Sequence, residues 1–163
     1  PRFFNSYGPG EVPGQYRNVI PNFIYWAMKG DPLPITGSGE ETRDFTFVGD
    51  LVRGLLLSGL QESASGQEFN LASAKETRII DLADMINASV KNESGVKFID
   101  KRKWDTKSRL LASVDKANKL IGYEPSIDFE EGLARTIAWF KDNWDYIEAS
   151  NSFTPGMSSA TRK

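Results

Sequence analysis

Arg2-Phe-Phe-Asn-Ser-Tyr-Gly-Pro-Gly10 and Gly37-Ser-Gly-Glu-Glu-Thr-Arg-Asp-Phe-Thr-Phe-Val-Gly-Asp50 are the stretches on which the fold turns. The first opens as a short buried strand over Arg2 to Ser6, where Phe3 and Phe4 supply β-prone bulk. Gly8-Pro-Gly10 and Pro13-Gly14 break it into a loop. The second passes from a glycine turn into a strand over Asp44 to Val48, with Phe45 and Phe47 on one side and Thr46 on the other. Asp50 is then placed to cap a helix that runs to about Leu60.

Between the two stretches, Ile20, Phe23, Ile24, Ala27 and Met28 recur at helical spacing and predict a helix from Val19 to Lys29. Pro21 suits its first turn, and Gly30 stands where a C-terminal cap belongs. Leu33 to Thr36 reads as a short strand. Further on, strands are predicted at Glu68 to Ala72 and at Val96 to Asp100. Thr77 and Asp81 are candidate starts for the helix carrying Leu82, Ala83 and Ile86. A short helix over Val114 to Ile121 is ended by Gly122. Asp128-Phe-Glu-Glu131 resembles a capping box and opens a long helix through Leu133, Ile137, Phe140 and Trp144. Strands alternate with helices, so the fold class is α/β. The apolar helix faces exceed what so few strands cover, which predicts a partner: an N-terminal half of the chain or another subunit. A start at Pro1, directly into a strand, points the same way. Residues 1–149 read as one folded unit, and the Ser/Thr/Gly/Pro-rich residues 150–163 as a disordered tail.

Composition removes several chemistries. The chain of 163 residues has no cysteine and no histidine, so it offers no disulfide, thiolate metal site or histidine base. Its net charge of −2 provides no basic field for nucleic acid. No apolar run spans a membrane, and no signal peptide is visible.

The candidate ligand groups are few. Arg43 has the planar fork that suits phosphate oxygens, although pairing beside Asp44 is the plainer reading. Asn5 ends a strand beside a Gly/Pro loop, and Asn18 precedes a helix whose free N–H groups attract anions. Helix capping is the plainer role for Asn18. Lys101-Arg-Lys-Trp-Asp105, with Lys107 and Arg109, is the most basic stretch; it reads as a solvated charge run or a phosphate clamp. Phe3, Phe23, Phe45, Phe47 and Trp139 read as core. The pairs Glu40/Glu41 and Glu130/Glu131 read as surface and helix-start carboxylates.

Taken together the motifs resemble the extended short-chain dehydrogenase/reductases, of the NAD-dependent nucleotide-sugar epimerase/dehydratase type. Arg2 to Pro9 is similar to that family's R-x-F-N-x-Y-G-P segment, and Arg43 to Asp50 to its R-D-F-x-x-V-x-D segment. Gly66 to Ala72, Ile121 to Pro125 and Glu131 to Phe140 are similar to its later strand and closing helix. The resemblance covers nearly the whole chain and implies the C-terminal, substrate-binding portion, with the last strands of a Rossmann-type sheet and an α/β lobe. It implies that Asn5, Asn18, Arg43 and Arg102 hold the diphosphate of a nucleotide sugar, with Arg109 competing with Arg102. Asp105 matches a position near the ribose. Val19, Phe23, Pro34 and Thr36 match the base slot, and Phe3 a place beside the nicotinamide. Thr36 stands where many relatives have an aromatic, which leaves the base open. Epimerisation of a UDP-sugar at C4 is the leading activity implied, with dehydratase, decarboxylase or a non-catalytic binding module as alternatives. NAD, a cytoplasmic location and a homodimeric parent enzyme follow from the same resemblance. The chain carries no glycine-rich dinucleotide fingerprint, and no Tyr-x-x-x-Lys at a strand-to-helix step.

Overall fold

The computed structural model describes residues 1–15, 17–101 and 106–151. Its strands pair two by two. β1 (Arg2–Phe3) lies parallel to β6 (Asn70–Leu71), and β2 (Ser6–Tyr7) parallel to β5 (Thr46–Phe47). β3 (Leu33–Thr36) is parallel to β8 (Val96–Ile99), in register from Leu33 opposite Val96 to Thr36 opposite Ile99. β4 (Thr42–Arg43) runs antiparallel to β7 (Thr77–Arg78). Parallel pairs need long crossovers, and helices supply them. These are α1 (Val19–Lys29), α2 (Val48–Leu60) and α3 (Ile79–Val90); α4 (Asp115–Ile121), α5 (Phe129–Asp142) and α6 (Trp144–Ser150) follow the last strand. The α/β class read from alternation is the observed one.

Two cores form. The larger gathers Ile20, Ile24, Leu33, Leu82, Ile137 and Phe140 from α1, β3, α3 and α5, with Phe23, Phe45 and Phe47 among them and Trp139 packed against it. The smaller joins Leu51, Leu71, Ala117 and Ile121 from α2, β6 and α4, with Phe69 just before β6 and Tyr123 just after α4. Gly54 lets α2 approach closely here, since a Cβ on it would lie 2.7 Å from a Leu71 methyl. The Tyr123 hydroxyl donates to the Ala72 carbonyl at 3.0 Å, and burial pushes its pKa up to about 12.

Several local expectations are corrected. The strand from Arg2 to Ser6 is broken at Asn5, whose φ of 23° puts it in the left-handed region that asparagine tolerates. β1 is not buried, and Phe3 is 53% exposed rather than core. The strand predicted from Asp44 to Val48 pairs only over Thr46–Phe47, with Phe45, Thr46 and Phe47 all buried, and α2 starts at Val48. α2 therefore begins before Asp50, which lies inside the first turn. Asp50 instead accepts from the Ser126 and Ile127 N–H groups and the Ser126 hydroxyl. α3 starts at Ile79, because Thr77–Arg78 are taken by β7. Asp128 occupies the N-cap position of α5 without a side-chain cap bond; Lys75 holds its carboxylate, and Arg135 holds Glu131. The long final helix is interrupted at Asn143, and Trp144 opens α6. Gly30 and Gly122 do end α1 and α4, at φ of 77° and 64°. The tail 152–163 lies outside the described residues.

Tyr7 ties β2 to α5. It is buried, its hydroxyl donates to the Phe129 carbonyl at 3.2 Å, and its pKa is raised by burial and by the Asp50 charge. The space beneath it exists because residue 132 is glycine: a Cβ there would lie 2.2 Å from the Tyr7 hydroxyl and 2.9 Å from the Phe47 ring. Gly132→Ala is expected to lower stability by about 1–3 kcal/mol, the usual penalty of overpacking a tight core. Tyr7→Phe is expected to relieve part of that loss in the double variant. Urea unfolding of the two single variants and the double reads this; an unmoved midpoint for Gly132→Ala would show that the contact relaxes freely.

Candidate functional site

The strand break at Asn5 and the turn at Gly8 open a groove of about 420 Å³, lined by Ser6 to Glu11, Arg17, Asn18 and Val48. Gly8 has a φ of 152°, and a Cβ on it would meet a Val48 methyl at 2.4 Å. The loop can therefore lie against α2 only with glycine there. Asn18 sits at the N-cap of α1 but makes no cap bond with its side chain. Its amide donates to the Ser6 carbonyl at 3.2 Å and to Glu11 Oε1 at 3.1 Å. The capping role read from the sequence is thus replaced by a bridge across the groove. Burial raises the Glu11 pKa, partly offset by the Asn18 bonds.

Asn5 and Arg43 flank one residue. The Asn5 amide donates to the Asp44 carbonyl at 3.1 Å, and the Thr46 N–H donates back to the Asn5 carbonyl at 3.2 Å. Arg43 Nη1 donates to the Thr42 carbonyl at 2.8 Å. Asn18 is joined to Ser6, the chain neighbour of Asn5, and Arg43 precedes Asp44 in the chain; of the three only Asn18 lines the groove. The other expected residues are spread more widely. Val19 opens α1 half-buried, while Phe23 is packed in the larger core. Pro34 and Thr36 are half-buried on β3 and do not line the groove. Phe3 stands exposed on β1. Arg102 and Asp105 lie outside the described residues. Arg109 is paired with Glu76.

The carboxylates were the least visible part of the site in sequence. Asp44, read as a surface partner for Arg43, is fully buried and accepts from Ser73 N–H, the Ser73 hydroxyl, Ala74 N–H and Ala112 N–H. Glu41, read as a surface acid, is buried against the 37–39 turn. Its burial opposes ionisation, but backbone N–H groups and Lys101 outweigh that and lower its pKa. Two acids of local appearance thus hold distant segments.

The spacing Tyr-x-x-x-Lys occurs once, as Tyr25 and Lys29 within α1. It points away from the groove's chemistry. The Tyr25 ring stacks on Trp144 at 5.5 Å, its hydroxyl accepts from Asn151, and Lys29 pairs with Glu148 at 2.7 Å. Both residues face α6, and Tyr25 lies about 10 Å along the helix from Asn18. Burial raises the Tyr25 pKa, the opposite of what a proton-accepting tyrosine needs.

Among the described residues no group of acids is placed to hold a metal ion, and no helix is long and apolar enough to cross a membrane. Residues 1–72 match the NAD dependent epimerase/dehydratase family. UDP-glucuronic acid decarboxylase 1 of Danio rerio is 34% identical over 99% of this chain and 38% of its own length. An epimerase of Methanothermobacter thermautotrophicus superposes with a TM-score of 0.92 at 55% identity, over 93% of this chain and 45% of that one. The Bordetella bronchiseptica enzyme WbmF, solved with NAD+ and UDP, superposes at 0.78 with 40% identity, over 91% of this chain and 47% of that one. The family match places residues 1–72 in the NAD-dependent epimerase/dehydratase family of extended short-chain dehydrogenase/reductases. The chain spans less than half the length of these relatives.

The Glu11 shift makes the groove testable without a ligand. A carboxyl whose pKa is raised by folding opposes folding once it ionises. That penalty is absent below the ordinary carboxylate value of about 4.3 and grows as pH rises through the raised folded value. Glu11→Gln is therefore expected to match the parent chain in acid and to be the more stable at neutral pH. Unfolding midpoints from pH 4 to 8 measure the gap; a gap independent of pH would mean Glu11 is not held as described.

Proposed function

We propose that residues 1–149 form the nucleotide-sugar-binding part of an NAD-dependent nucleotide-sugar epimerase, with a UDP-sugar 4-epimerase as the leading reading. The observation that carries it is the Asn5–Asp44 hydrogen bond beside Arg43, together with the groove lined by Asn18 and by Ser6, the neighbour of Asn5. A diphosphate needs a cation of fixed geometry and amide donors, and these residues supply both types. Asn5 keeps an amide hydrogen beyond the one given to Asp44. Arg102 and Asp105 belong to the same proposed site by resemblance, with Val19, Phe23, Pro34 and Thr36 on the side of the base. Decarboxylation of a UDP-sugar acid is the second reading, favoured by the kinship to the zebrafish decarboxylase.

In this reading NAD supplies transient oxidation of the sugar by taking a hydride. By resemblance Phe3 lies beside the nicotinamide, and its exposed ring on β1 could lie against a flat heterocycle. The described residues form no pyrophosphate cradle for the dinucleotide. Their work is to bind and orient the sugar nucleotide. Support for a completing partner comes from β1, which has one strand neighbour among the described residues, and from Val52, Leu55, Leu56 and Leu60 of α2, exposed at helical spacing. Parallel strands are normally covered on both sides. An N-terminal half, or another subunit, would cover this face; a cytoplasmic homodimer as the whole enzyme belongs to the same proposal.

Calorimetric titration of the chain with UDP-glucose, UDP and NAD tests the reading. Saturable binding of the UDP compounds without NAD supports a substrate half-site in this chain. Arg43→Ala is expected to weaken that binding by roughly 1.5–3 kcal/mol, the range for hydrogen bonds to charged groups. Unchanged affinity would take Arg43 out of the site.

A further inference from the structure

Arg109 competes with Arg102 for the diphosphate by sequence, yet the structure commits its guanidinium elsewhere. Nε donates to Glu76 Oε1 and Nη2 to Glu76 Oε2, each at 2.7 Å. The Thr42 hydroxyl donates to the same Oε1 at 2.7 Å. Held by Arg109 first and Thr42 second, the Glu76 carboxyl falls to about 2, so it stays ionised at any ordinary pH.

The backbone around this pair is knitted as well. Thr42 N–H donates to the Ser108 carbonyl at 2.9 Å, and Leu110 N–H donates to the Thr42 carbonyl at 3.2 Å. This makes a parallel bridge between Thr42 and Arg109. On its other side β4 pairs with β7, Thr42 opposite Arg78 and Arg43 opposite Thr77. β4 is thus the middle of three extended segments, and Glu76 and Arg109 lie one on each flank. Isolated surface ion pairs contribute little, but a bidentate Arg–carboxylate pair with a shared hydroxyl is the geometry in which they matter.

We infer that Glu76 and Arg109 are positioning residues, a clasp that fixes the strand carrying Arg43 for the ligand's anion. Arg109 acts through Arg43 and is not itself a ligand to the phosphates. The inference rests on the nucleotide-sugar reading given above.

The test uses the 163-residue chain, with Glu76→Gln, Arg109→Gln and the double variant. UDP-glucose affinity and amide hydrogen exchange at Thr42 and Leu110 are the readouts. A clasp predicts that each single variant weakens binding about three- to tenfold and that the double is no weaker than either, as for residues acting as a unit. It also predicts faster exchange at Thr42 and Leu110 in all three, and no further effect of Glu76→Gln once Arg43 is alanine. A general structural defect would still weaken binding in that background, which overturns the positioning role. If Arg109 were a phosphate ligand, Glu76→Gln would free its guanidinium and leave binding unchanged or tighter; that result also overturns the inference. A parent chain that binds no UDP compound removes the binding reading and with it the role given to Arg43. Unchanged exchange at Thr42 and Leu110 removes the clasp itself, so the two failures are told apart.

Discussion

The carboxylate of Asp44 is the constraint on which the site depends. It is fully buried, and a charge taken out of water must be met by hydrogen-bond donors or it destabilises the fold. Four donors meet it: Ser73 N–H at 2.9 Å, the Ser73 hydroxyl at 2.7 Å, Ala74 N–H at 3.1 Å and Ala112 N–H at 3.3 Å. They come from two segments far apart in sequence. Meeting them holds Ala74 at a φ of 56°, a conformation that a residue with a side chain adopts at some strain. The Asp44 carbonyl takes the Asn5 amide at the same time. One residue therefore sets the relative placement of the strand break, the Arg43 strand, the loop after β6 and the segment before α4.

Asp50 repeats the device a few residues on. Its carboxylate, 3% exposed, accepts the Ser126 and Ile127 N–H groups and the Ser126 hydroxyl. Arg53 neutralises it at 3.0 Å and also reaches the Glu124 carbonyl. The first turn of α2 is thereby fastened to the approach of α5, which in turn carries Gly132 beneath Tyr7. Both acids serve as backbone anchors whose side chains satisfy N–H groups that no strand or helix uses. The Arg43-to-Asp50 segment thus contains two fasteners separated by its hydrophobic Phe45–Phe47 stretch, which enters the larger core.

This explains what was legible in sequence and what was not. Helix ends marked by Gly30 and Gly122 were readable, because a left-handed backbone is a local demand with a local residue to meet it. The alternation of strands and helices, and with it the α/β class, was readable from hydrophobic period. The candidate caps were misread for one reason. Asp50, Asp128 and Asn18 each stand where a local cap is chemically possible, and each bonds to a partner 7 to 77 residues away, Asp50 having Arg53 as a nearby partner as well. Capping is a short-range expectation, and tertiary partners override it without leaving a sequence mark. Asn5 shows the same limit from the other side. Its strand-like surroundings conceal a φ of 23°, which is imposed by its bonds to Asp44 and Thr46.

The position of Asn5 also links the site to the open side of the sheet. β1 belongs to the pair that flanks the smaller core, and β2 to the pair that enters the larger. Asn5 is the turn between them. Asp44 spans the same division, since Ser73 and Ala74 follow β6 while Thr46 and Phe47 form β5. The connected polar set therefore lies along the seam of the two cores, where neither packs alone. Phe3, two residues before Asn5, is exposed on β1. Asn5 therefore couples β1 to β2: its bonds to Asp44 and Thr46 fix the step from one strand pair to the next, so loosening either bond would loosen both pairs.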